Sequence, residues 1–180
     1  MVTAADIVLT KFHDVLGDVM GHGHTHYWLH GGRSSTKSSF ISLCIVLLIV
    51  AFPQTNAVVV RRFGNTLRDS VYQQILWAIS ALGLDGYFKA KISSMEITYL
   101  PTGQRIVFLG ADDPLKLKGV KFTRGYCAVV LFGELDQFEG IDVIRYILNS
   151  LRSLHACPTI PRLCRSSSGQ TYPHLRPMRT

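Results

Sequence analysis

Between Tyr27 and Pro53 the chain passes from an apolar stub, Tyr27-Trp28-Leu29-His30, through Gly31-Gly32-Arg33-Ser34-Ser35-Thr36-Lys37-Ser38-Ser39-Phe40 into an almost unbroken apolar stretch, Ile41 to Phe52. Few architectures accept that succession. The apolar stretch is well short of the about 20 residues needed to cross a bilayer, so it reads as a buried helix, and Pro53 stops it. Asp6, Asp14, Asp18 and several histidines interrupt the start of the chain, which argues against a secretory leader. After the Pro53–Asn56 turn, Ala57-Val58-Val59-Val60 is a β-branched strand running into Arg61-Arg62. Strand, loop, helix, strand is the order expected of an α/β unit whose loop carries the chemistry.

The loop has the chemistry of a phosphate cradle. A polyphosphate needs backbone N–H groups that converge at a helix start, where side-chain bulk is small and the helix dipole favours negative charge. Gly31, Gly32, Ser34 and Ser35 suit that role, with Arg33 and Thr36 completing the segment. Lys37 would reach the phosphates as a point charge, and the Ser38 hydroxyl would ligate Mg²⁺ carried by the nucleotide. The pattern G-x-x-x-x-G-K-[ST] is imperfect, because counting from Gly31 the glycine expected before the lysine is Thr36. A glycine-serine turn capping an ordinary helix explains the same residues without a ligand.

A second continuous apolar strand, Tyr126 to Phe132, ends on Gly133-Glu134-Leu135-Asp136. In an open parallel sheet ligands sit beyond the carboxyl ends of the strands, which would bring Glu134 to the crevice of the phosphate loop. A carboxylate there can orient and deprotonate an attacking water. A solvated acid in a strand-end turn is the alternative.

Tyr27–Phe40, Val58–Gln73, Gly110–Gly119 and Phe132–Phe138, in this order, resemble the large subunit of tailed-phage terminases, in the group found in phages and prophages of Gram-positive bacteria. The similarity spans roughly residues 11–152. It implies a P-loop NTPase-like domain with a mostly parallel sheet flanked by helices, acting as the ATP-hydrolysing motor of DNA packaging. ATP and Mg²⁺ are the implied cofactors, with Gly31 through Ser38 on the phosphates and Glu134 as the catalytic acid. Double-stranded DNA, a terminase small subunit and a portal are the implied partners, in a homo-oligomeric ring within the cytoplasm of a bacterial host and without a membrane. The family carries an acidic pair at the second strand end, and here the first of the pair is Gly133. Nucleotide binding with slow hydrolysis is the expectation, and a non-catalytic nucleotide-binding or oligomerisation remnant is the alternative.

Between the two strands, Leu67, Val71, Ile75, Leu76, Ile79 and Leu82 form a helical stripe ending at Gly83, and Phe88–Ile92, Met95–Leu100 and Arg105–Leu109 read as short strands with a Pro101-Thr102-Gly103 turn. These make a small antiparallel excursion, and Ile141–Leu151 gives a last helix. Arg61, Arg62 and Arg68 are candidates for an arginine offered to a neighbouring subunit, and Lys116, Lys118, Lys121 and Arg124 for DNA phosphates or an adjacent subunit.

The formal net charge of +7 is unevenly spread. Residues 1–150 hold 14 basic and 12 acidic side chains, whereas the rest carries five arginines and no acid. The resemblance implies that residues 1–153 form the ATPase domain, incomplete and without the family's C-terminal nuclease. Residues 154–180, rich in proline and serine, are expected to be a disordered tail, as in a frameshifted or truncated product of a decaying prophage. Cys44 and Cys127 lie in apolar segments, and Cys157 and Cys164 have no second metal-ligand pair. His22, His24, His26 and His30 alternate towards the first strand and raise a rival metal-binding reading.

Overall fold

The computed structural model describes residues 7–32, 35–113, 117, 119–152 and, for the backbone, 162–166. The chain opens with a helix, α1 (His13–Met20), and the first strand, β1 (His26–His30). Helix α2 (Lys37–Ala51) begins at the lysine of the loop and is followed by extended Phe52, ahead of Pro53. Strand β2 (Thr55–Arg61) follows, then a π-helical turn (Arg68–Tyr72) continuing into α3 (Gln73–Ala81). Strands β3 (Phe88–Lys91), β4 (Glu96–Tyr99) and β5 (Gln104–Gly110) form the antiparallel excursion. Its β4–β5 turn places Gly103 at φ +77°, a conformation glycine adopts without penalty. Strand β6 (Tyr126–Gly133), helix α4 (Ile141–Arg152) and strand β7 (Arg162–Ser166) complete the order.

The strands build one seven-stranded sheet in the order β1-β7-β6-β2-β5-β4-β3. Pairings from β1 through β5 are parallel, and β4 and β3 are added antiparallel at one edge. The expected α/β architecture with a mostly parallel core is thus the observed one. Strand β7 corrects one expectation. Residues 162–166 are not a detached tail but an interior strand between β1 and β6, hydrogen-bonded to both. The remainder of the 154–180 segment lies outside the described residues.

Both faces of the sheet are covered, which is why its central strands lack polar alternation. Along β2, Ala57 and Val59 point into a core with α1, α2 and α3, while Val58 and Val60 join Val130, Phe132, Ile144 and Ile147 on the opposite face. Helix α2 is apolar around almost its whole circumference because sheet and helices enclose it; residues 40–46 are all buried. Two buried amides tie the N-terminal strand ends together. Asn56 Nδ2 donates to the carbonyls of Arg124 (2.8 Å) and Tyr126 (3.2 Å), while its Oδ1 accepts the Arg105 N–H (2.8 Å). Gln104 Nε2 donates to the carbonyls of Phe52 (2.7 Å) and Thr55 (2.6 Å). Satisfied in this way, they fix strand register without the desolvation cost of a bare buried amide.

Candidate functional site

The loop leaving β1 is shaped by backbone conformations few residues accept. Gly31 has φ +147° and Thr36 sits in the left-handed region at φ 60°, ψ 8°. Thr36 occupies the position where the phosphate-loop pattern asks for glycine, and its conformation shows why: the turn into the helix requires positive φ. A β-branched residue there carries strain of about 1–2 kcal/mol. Its carbonyl accepts the Phe40 N–H at 3.0 Å and so starts the α2 ladder.

Lys37 is only 5 % exposed, although it lies at a helix start. Its ammonium folds back over the loop, donating to the carbonyls of Gly31 (2.6 Å) and Gly32 (3.0 Å) and to Ser35 Oγ. The cation thus lies within the concavity formed by the loop. Arg33 and Ser34 lie outside the described residues. Helix α2 has no acidic residue in its first turn, so nothing there opposes the positive end of its dipole.

Beside the loop lies a cavity of about 640 Å³, lined by Ser38 and Ser39 of α2, Arg61 at the end of β2, Gly133 and Glu134 at the end of β6, and Asp69, Ser70, Val71, Gln73, Gln74 and Trp77 from the π turn and α3. The volume is in the range of small-molecule sites. Two segments nearly a hundred residues apart, Ser38 and Glu134, therefore face one crevice at the carboxyl ends of the parallel strands. Glu134 is half-buried and held at φ 55°, ψ 61° immediately after β6. A left-handed glutamate is an uncommon expense that the surrounding fold must enforce.

Gly133 is the parallel-register partner of Arg61. A Cβ built on Gly133 would stand 3.3 Å from Arg61 Cγ and 3.5 Å from Val71 Cγ1, so the arginine stem covers the place where a side chain would begin. No carboxylate is available at 133, and the described residues include no cluster of three His, Cys, Asp or Glu able to hold a metal. The expected magnesium site is accordingly short of its supporting acid, with Ser38 as the remaining donor from the motif.

Of the three candidate arginines, only Arg61 lines this cavity. Arg62 pairs with Glu139 (2.5 Å) and lies over the Phe63 ring, while Arg68 is exposed on the π turn. Of the basic run after β5, Lys116 and Lys118 lie outside the described residues. Sequence reasoning named Arg61 only for a neighbouring subunit's site, and it missed Asp69, Ser70, Gln74 and Trp77. The available signal was Arg61 itself at the carboxyl end of β2, which had to face the same crevice.

The histidine reading is not supported. His24 Nδ1 contacts Asp18 Oδ2 at 2.8 Å, the His22 ring packs on Phe52 with centroids 4.7 Å apart, and His26 pairs with Thr25. They serve as local contacts around the entry to β1. Tyr27 O–H donates to Asp18 Oδ2 at 2.6 Å, and this bond, aided by His24, holds the Asp18 carboxyl below its usual range. Burial, reinforced by Asp18, pushes the Tyr27 phenol up.

With this geometry in view, comparison with known proteins decides the family. The family model described as phage terminase large subunit matches residues 23–162. The chain belongs to the phage terminase large subunit family. The large subunit of terminase from Bacillus phage SPP1 is 35 % identical over 140 residues, which is 78 % of this chain and 33 % of that protein. The PBSX phage terminase large subunit of Bacillus subtilis (strain 168) is 36 % identical over 96 residues, 53 % of this chain and 22 % of that protein. The chain thus spans a third or less of the length of these curated relatives. Among solved structures, the HK97 bacteriophage large terminase aligns at a TM-score of 0.64 with 18 % identity, covering 89 % of this chain and 33 % of that one. At that identity the likeness speaks for the fold. No helix among the described residues is long and apolar enough to cross a membrane.

Proposed function

We propose that this chain is the ATP-binding motor domain of a DNA-packaging terminase, with hydrolysis slowed by Gly133. The observation that carries the reading is the shared cavity, in which Ser38 beside the phosphate loop and Glu134 at the end of β6 face one space. On this reading Gly31 through Ser38 hold the polyphosphate. Lys37 exchanges its loop carbonyls for phosphate oxygens, and the backbone N–H groups of the loop and of the α2 start supply the remaining donors. Glu134 orients the attacking water and accepts its proton. Mg²⁺ would arrive with the nucleotide and meet Ser38, without the acid that supports it in the family. In a longer chain the domain would act on double-stranded DNA within a ring of copies, with a small subunit and a portal, in the host cytoplasm.

The test is equilibrium binding of a fluorescent ATP analogue together with phosphate release. Lys37→Ala should weaken binding at least about 10-fold, the scale of one charge-assisted contact. Glu134→Gln should leave binding intact and lower turnover by about 100-fold or more. Equal affinity of wild type and Lys37→Ala would remove the reading. Gly133 favours a second reading, a nucleotide-binding subunit that does not hydrolyse; binding without phosphate release above background would select it.

A further inference from the structure

Among the described residues, the cation at the end of β2, Arg61, has no ion-pair partner. Arg61 and Gly133 are register partners on adjacent parallel strands, so residues at these positions stand side by side on the same face of the sheet. Any carboxylate at 133 would lie against the arginine. Here position 133 has no side chain, and the Arg61 stem packs over it. The Arg61 guanidinium reaches the segment after β2, where Nη1 donates to Ser70 Oγ on the π turn and, at 3.4 Å, to the Thr66 carbonyl just before it. Both acceptors are neutral. Among the described residues Arg61 has no carboxylate partner, and its Nε is buried without an acceptor. A buried guanidinium N–H left without an acceptor is unfavourable, and an anionic oxygen satisfies it best.

The cation lines the same cavity as Ser38 and Glu134. A planar guanidinium presents donors matched to phosphate oxygens and, unlike a metal, needs no coordinating carboxylate of its own. We propose that Arg61 is a polyphosphate ligand in its own chain's site and supplies there the positive charge that a well-supported metal would bring, so that nucleotide binds with little dependence on magnesium. Gly133 has both halves of this effect: it removes the acid that would support a metal and leaves Arg61 without the carboxylate that would neutralise it. This inference rests on the nucleotide reading above and deepens it. It also assigns Arg61 to its own site rather than to a neighbour's.

The experiment is titration of the full chain with the fluorescent ATP analogue in excess magnesium and in excess EDTA. Wild type should change affinity by less than about 10-fold between the two, below the usual loss on removing a metal partner. Arg61→Gln should bind at least about 10-fold more weakly than wild type in EDTA, and Arg61→Lys, which keeps the charge but not the planar fork, should recover only part of that loss. Gly133→Glu, which pairs Arg61 with a carboxylate, should make affinity magnesium-dependent by about 10-fold or more. Wild type that binds in magnesium but loses more than about 10-fold in EDTA overturns the inference and leaves the nucleotide reading standing. Equal affinity of Arg61→Gln and wild type in EDTA does the same. If Arg61→Gln fails to fold, Gly133→Glu decides, since unchanged magnesium dependence in that variant also overturns it. Absence of binding in both buffers removes the nucleotide reading itself.

Discussion

Gly133→Glu tests how much of the hydrolytic machinery is missing. The new Cβ would meet Arg61 Cγ at 3.3 Å and Val71 Cγ1 at 3.5 Å, both in side chains that can yield by a few tenths of an ångström. An off-rotamer adjustment of that kind costs about 0.5–1.5 kcal/mol, and an opposite-charge cross-strand pair with Arg61 returns about 0.2–1 kcal/mol. Stability should therefore change by no more than about 1 kcal/mol, a Tm shift of about 2–4 °C at this chain length. Catalysis should respond more. Restoring a carboxylate that supports the metal is worth about 10–100-fold, or about 1.4–2.7 kcal/mol in barrier height. Phosphate release at saturating ATP and magnesium, with a thermal melt as the folding control, measures both quantities. A folded variant that binds ATP yet turns it over no faster than wild type would show that the acid at 133 does not limit the reaction, and the reasoning would fail.

Thr36→Gly removes left-handed strain of about 1–2 kcal/mol but adds unfolded-state freedom of about 0.4–1 kcal/mol, so Tm should rise by up to about 6 °C; a fall on thermal denaturation would contradict the strain assignment. Gly125→Ala should be costly, because φ is +67° and a Cβ would lie 2.1 Å from the Gln54 carbonyl oxygen, which accepts the Tyr126 N–H at 3.0 Å. The expected loss is about 3 kcal/mol or more by chemical denaturation, and a loss under about 1 kcal/mol would refute the close approach. Asp18 has its folded pKa below the unfolded value of 3.8, so its stabilising contribution is present above that value and disappears as pH falls through the folded pKa. Asp18→Asn should accordingly flatten the acid limb of the Tm–pH curve; an unchanged limb would rule out the Tyr27–Asp18 bond as its source.

Much of the scaffold was legible because its signals are local. The apolar stretch after Lys37 and the β-branched Val58-Val59-Val60 run specify a buried helix and a central strand by composition alone, and both stand within a few residues of their expected limits. The π turn at Arg68–Tyr72 was hidden because Leu67, Val71 and Ile75 also satisfy an ordinary helical stripe. Strand β7 escaped for the opposite reason. Its proline- and arginine-rich surroundings carry no strand pattern, and its place in the sheet comes from the edges of β1 and β6, which need a partner.

The amino-acid order by itself determined the residue types of the site: small residues before Lys37-Ser38, an acid at 134, and no acid at 133. Those are matters of chemistry and spacing along one chain. Only the tertiary structure decided that Ser38 and Glu134 face one cavity, that Thr36 and Glu134 adopt left-handed conformations, and that Arg61 lies across Gly133. Each of these depends on strand register, and register is set by packing on both faces of the sheet together with the buried Asn56 and Gln104 bonds rather than by any neighbouring residue in sequence.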